Sequence, residues 1–88
     1  GIMSVDGDVC VSIVKPAEKG NGIILRVFNT ENTESRFTVT FQREVNAVSE
    51  TDLYENIKAV IETNTAKAKI ALKPYEIKTL LIDFGEET

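Results

Sequence analysis

The sequence predicts an all-β domain, an antiparallel β-sandwich of about seven short strands, immunoglobulin-like in shape. Three observations predict it. Apolar and polar residues alternate in short runs, turn chemistry recurs about every ten residues between those runs, and no long amphipathic helical stripe competes with them. The immunoglobulin signature of two cysteines around a tryptophan is absent, since the chain has one cysteine and no tryptophan. The shape is therefore expected without that family's markers.

The domain is expected over residues 6–84, with 85–88 as a frayed tail. Asp6-Gly7-Asp8 reads as a turn, a glycine between two short acidic side chains. In the strand that follows, Val9, Val11 and Ile13 alternate against Cys10, Ser12 and Val14 until Lys15-Pro16 ends it. Residues 17–22 form a loop around Gly20 and Gly22, and residues 23–28 form a strand apolar on both faces. Residues 29–35 are polar throughout and read as an exposed connection. Phe37, Val39 and Phe41 alternate with Arg36, Thr38, Thr40 and Gln42, one face for the core and one for water. Val45, Ala47 and Val48 suggest a short separate strand with a bulge.

Residues 50–61 fit two periods. Leu53, Ile57, Val60 and Ile61 lie on a helical stripe that Thr51 and Asp52 could cap. The same residues fit a short extended piece at Leu53-Tyr54, a turn near Asn56 and a strand through Ala59-Val60-Ile61, which the neighbouring strands favour. Residues 62–65 read as a hairpin turn. Ala66, Ala68, Ile70 and Leu72 then alternate with Lys67, Lys69 and Ala71. After Lys73-Pro74, residues 75–84 carry Ile77, Leu80, Leu81, Ile82 and Phe84, so nearly every position after the first turn is apolar. A strand of that kind belongs near the middle of a sheet covered by another.

Composition narrows the function. A chain of 88 residues makes one domain and buries only about 60 to 65% of its unfolded surface, so the core is modest. A formal net charge of −4, without a cluster of Lys or Arg, argues against nucleic acid and against an anionic membrane surface, both of which need a basic face. Cys10 has no partner within the chain, which is compatible with a reducing, cytoplasmic setting. No histidine is present, so histidine-based triads and proton transfer are unavailable and no catalytic residue is assigned.

The remaining candidates have plainer readings. Glu50, Asp52 and Glu55 could pair as glycosidase carboxylates, but they read as a solvated acidic turn. Asp6-Gly7-Asp8 lacks the spaced oxygen ligands of a calcium loop, and Gly20-Asn21-Gly22 lacks the following helix of a phosphate loop. Phe28, Phe37, Phe41 and Phe84 fall on strand positions assigned to the core. Tyr54 and Tyr75, each beside a turn, are left as the possible ligand contacts for a carbohydrate.

The order of several pieces carries a resemblance. Gly7-Asp8 before a strand, Lys15-Pro16-Ala17-Glu18 after it, and Gly22-Ile23-Ile24-Leu25-Arg26-Val27-Phe28-Asn29 resemble the opening of the C-terminal β domain of glycoside hydrolase family 38, the α-mannosidases. Glu50-Thr51-Asp52-Leu53-Tyr54-Glu55 and Leu72-Lys73-Pro74-Tyr75-Glu76-Ile77-Lys78-Thr79-Leu80 resemble its closing hairpins in the same order. The resemblance implies a non-catalytic accessory domain that packs on the remaining domains of one polypeptide. In that family an aspartate nucleophile and a zinc ion held by histidine and aspartate, in an N-terminal domain, carry retaining hydrolysis of α-mannosides. None of those residues transfers to this chain, so zinc is implied for the parent enzyme and no cofactor for this domain. The alternative is a free-standing module that binds a mannose-containing carbohydrate or acts in adhesion.

Overall fold

The computed structural model describes residues 3–86. Six antiparallel strands run in the order β1 (Met3–Gly7), β2 (Cys10–Pro16), β3 (Gly22–Phe28), β4 (Ser35–Thr51), β5 (Ile57–Leu72) and β6 (Ile77–Asp83). No helix occurs among the described residues. A straight strand of 17 residues, the length of β4, would span about 55 Å. The longest extent of the domain is 44 Å. β4 therefore bends, and the bend makes the sandwich.

The register shows where. Up to Thr40↔Lys67, β4 pairs β5 residue for residue; pairing resumes at Val45↔Thr65, so residues 41–44 face only Ala66. Extra residues on one strand of a pair kink it and increase its twist. On either side of this bulge β4 keeps β5 as one neighbour and exchanges the other. Its first half pairs β1, from Met3↔Phe41 to Gly7↔Phe37, and its second half pairs β6, from Ala47↔Asp83 to Thr51↔Thr79. β6 pairs β3, and β3 pairs β2. The result is a small sheet of β1 with the adjoining halves of β4 and β5, folded over a large sheet that runs β5, β4, β6, β3, β2.

Between the sheets lies one core. Phe37, Val39, Phe41, Ala68, Ile70 and Leu72 come from the small sheet; Leu25, Val27, Val48, Leu80 and Ile82 come from the large one, with Val45 just past the bulge. β6 sits between β4 and β3, which accounts for its nearly continuous apolar run. Gly22 opens β3 because the strands are close there. A Cβ at that position would meet the carbonyl oxygen of Ile82 well inside van der Waals contact. At the edge of this core Glu50 pairs with Lys58 at 3.5 Å and Lys78 at 4.0 Å, and Lys78 Nζ donates to Ala71 O at 3.1 Å.

Several expectations change. The predicted strands at 36–42 and 45–48 are one strand; the register does shift between Val48 and Ser49, beside the position where a bulge was expected, and a larger bulge lies at 41–44. The hairpin turn expected at 62–65 is extended β5 backbone paired to β4; its polar composition reflects an exposed edge, and only Asn64, at φ 48°, leaves the extended region. Neither a helix nor an extended piece forms at Leu53-Tyr54, which lies in a tight turn over 52–56. β1 was not expected, and Asp6 and Gly7 both belong to it, so the first turn follows at Asp8. Six strands result where about seven were expected. On β2 the register shifts between Val11 and Ile13, so the expected alternation breaks: Val11 and Val14 share the side of Val27 and Leu25, exposed on this edge strand, and Ile13 lies on the side of Arg26. Of the expected tail, Glu87 and Thr88 lie outside the described residues, while Gly85 donates to Asp83 Oδ1 and accepts from Asn21 Nδ2.

One buried polar residue holds two loops together. Asn29 is fully buried; its Nδ2 donates to Thr33 O at 2.7 Å and Lys73 O at 3.0 Å, and its Oδ1 accepts from Glu31 N at 3.0 Å. Its backbone N also donates to Glu76 O, and Tyr75 N donates to Glu31 O. Removing the amide leaves three backbone groups without these partners, so Asn29→Ala is expected to cost about 3 kcal/mol in urea unfolding. A loss below about 1 kcal/mol would show that water replaces the amide.

Candidate functional surface

Facing residues of an antiparallel ladder share a face, so the register maps the outer side of the large sheet. One row runs Ile57, Thr51, Thr79, Arg26, Ile13, and the next runs Val60, Ser49, Leu81, Ile24, Lys15. Ile77 and Phe28 continue it at one end. Arg26 Nε donates to Thr79 Oγ1 at 3.1 Å in the centre. Ile24, Ser49, Thr51 and Thr79 are buried on this face, and Ile57, Val60 and Ile77 are each more than half exposed. The outer side of the small sheet is different in kind. Asp6, Thr38 and Lys69 form one row and Ser4, Thr40 and Lys67 the next. A hollow of about 210 Å³ lies there, lined by residues that include Asp6, Arg36 and Lys69.

The turn between β4 and β5 is built around one carboxylate. Asp52 Oδ1 accepts from Tyr54 N at 2.8 Å and Asn56 N at 2.9 Å, and Oδ2 accepts from Asn56 Nδ2 at 3.0 Å. The backbone adds Asp52 N to Asn56 O and Glu55 N to Asp52 O. Glu55 completes the turn at φ 66°. The hydrogen bonds from the Asn56 backbone and side chain hold the Asp52 carboxyl below its ordinary range, with smaller contributions from Tyr54 N and the charge of Lys58. Leu53 is 72% exposed and Tyr54 84% exposed at the tip.

This turn also reaches a distant loop. Glu55 Oε1 accepts from Glu18 N at 2.9 Å. The loop carrying Glu18 leaves the large sheet at the β2 corner and the turn leaves it at the diagonally opposite β5 corner. Twist brings diagonal corners of a sheet together over one face. The burial of Ile24, Thr51 and Thr79 on the outer face agrees with that curl.

Residues 8–80 match the model of the glycosyl hydrolases family 38 C-terminal beta sandwich domain. The chain belongs to that domain family. Among curated proteins none matches it.

In this family 38 domain, the residues singled out in the sequence stay apart. Tyr54 stands on the 52–56 turn and Tyr75, at φ 58°, on the 73–76 turn. Neither lines the hollow on the small sheet or the shallow ones beside Asn21 and Asp83. The three carboxylates do not gather around a cleft: Glu50 pairs with lysines, Asp52 organises its turn and Glu55 holds Glu18. Cys10 is free and exposed. Among the described residues no three His, Cys, Asp or Glu side chains are placed to hold a metal, and no helix is long and apolar enough to cross a membrane. Sequence reasoning missed the outer-face trio of Ile57, Val60 and Ile77. It assigned Phe28 to the core, whereas Phe28 is half-buried beside Ile77 on the outer face.

The lowered pKa of Asp52 gives a pH dependence with a definite sign. A carboxyl more acidic in the folded state stabilises fully above its unfolded pKa of about 3.9, and that contribution is lost as pH falls through the lower folded value. Carbon-13 titration is expected to place the Asp52 midpoint below the ordinary aspartate value, and Asn56→Ala is expected to raise it. A midpoint unmoved by Asn56→Ala would contradict the assigned cause.

Proposed function

We propose that this domain is a non-catalytic accessory part of a family 38 α-mannosidase, and that the outer face of its large sheet packs against the remaining domains of the same polypeptide. The observation that carries this reading is the contrast between the two outer faces. On the large sheet Ile57, Val60 and Ile77 stand exposed around buried Thr51 and Thr79, whereas the small sheet presents threonines, lysines and an arginine to water. Exposed apolar side chains gathered on one face are the mark of a surface that another surface covers. Membership of a C-terminal domain family supplies the neighbour.

Hydrolysis of the α-mannoside, and the zinc ion that the family resemblance implies for it, belong in this reading to the neighbouring catalytic domain. A cytoplasmic setting goes with it, supported by a single free cysteine. Direct binding of mannose-containing carbohydrate by Tyr54 and Tyr75 is not favoured, because the two rings stand on separate turns and share none of the hollows described.

In the full-length protein, Ile57→Ser combined with Val60→Ser is expected to remove about 2 kcal/mol of interdomain packing. The temperature at which α-mannoside hydrolysis is lost should fall by several degrees, while kcat/KM at low temperature is unchanged. An unaltered inactivation temperature would place this face in solvent and refute the packing role.

A further inference from the structure

We infer that the β4–β5 turn is a preformed docking tip, whose Leu53 and Tyr54 enter an apolar pocket bordered by basic side chains on a neighbouring domain of the same polypeptide. This rests on the accessory-domain reading above and specifies the chemistry of the partner. Three observations support it.

The first is rigidity. Three hydrogen bonds to Asp52 and two along the backbone fix the turn, and Glu55 fastens it to Glu18. A loop ordered in advance loses little conformational entropy on binding. The second is what this fixed turn presents: its two largest apolar side chains, both well over half exposed. They project from the domain and line none of the hollows described, so a pocket on another surface suits them better than a small ligand.

The third is charge. The strand directions place the 52–56 turn at the same end of the large sheet as the 29–34 and 73–76 loops, and Ser35 Oγ, bonded to Asp8 O, adds the 8–9 link. These four connections hold six carboxylates, Asp8, Glu31, Glu34, Asp52, Glu55 and Glu76, against one lysine, Lys73. That end alone exceeds the formal −4 of the whole chain. A surface lying against it is complementary only if it is basic.

The test uses the full-length protein and the rate of protease cleavage between this domain and its neighbour. Leu53→Ser with Tyr54→Ser keeps the turn's own bonds, which use the Tyr54 backbone and not its ring. It is expected to speed cleavage at least about tenfold. Asp8→Lys with Glu31→Lys is expected to speed it severalfold, and rising salt is expected to act in the same direction on the unaltered protein. If the tip variant leaves cleavage unchanged while Ile57→Ser with Val60→Ser speeds it, the tip assignment fails and the packing face stands. If neither variant changes the rate, both fail. A dimer of the unaltered protein that the tip variant dissociates would overturn the proposal in favour of a second copy, and a charge variant without effect would overturn its basic partner.

Discussion

The bend in β4 is the constraint from which the rest of the domain follows. A strand of 17 residues cannot lie straight in a body 44 Å long, and the three residues it gains on β5 at the bulge turn it from one sheet into the other. Each half then needs its own second neighbour, which β1 and β6 provide. Without the turn Phe37, Val39 and Phe41 would not face Leu25, Leu80 and Ile82, and the core would open. Because the β4–β5 hairpin runs through both sheets, its tip and its free edge are exposed together at one flank. That flank carries Leu53, Tyr54, Ile57 and Val60.

The same topology gives the two outer faces different chemistry. The small sheet has a short span, and its outward positions on β4 and β5 are threonine, arginine and lysine with one small alanine, Ala71, suited to solvent. The outward positions of the large sheet are largely apolar; of the polar ones Ser49, Thr51 and Thr79 are buried, Arg26 is half-buried and Lys15 is exposed on the edge strand. Arg26 sits on this face with its guanidinium bonded to Thr79. An outer face of this kind is what the proposed packing against a neighbouring domain would cover.

How much of this was legible depends on whether the signal was local. The central strands were, because β3 and β6 carry apolar residues on consecutive positions, Ile23-Ile24-Leu25 and Leu80-Leu81-Ile82, and so on both faces. The bend was not: residues 42–44 are Gln, Arg and Glu, and a polar interruption between two alternating runs looks like a connection. Residues 62–65 misled in the same way, since an exposed edge strand and a turn share a polar composition. The helical stripe in residues 50–61 has a structural origin as well. A register shift between the Glu50 and Thr51 pairings sets Ile57 and Val60 on one face three residues apart instead of two, which imitates a helix in an extended chain. Asn29 stood among polar loop residues, and nothing local separates it from Asn32; its importance comes from Lys73, 44 residues away.

The central claim is that this fold serves inside a longer hydrolase. The most direct measurement is the mass of the native polypeptide, read with an antibody against this domain in an extract of the cells that make it. The account predicts a band many times heavier than the 9.7 kDa of these residues, comigrating with α-mannosidase activity. A native band at that small mass, separate from any such activity, would contradict it.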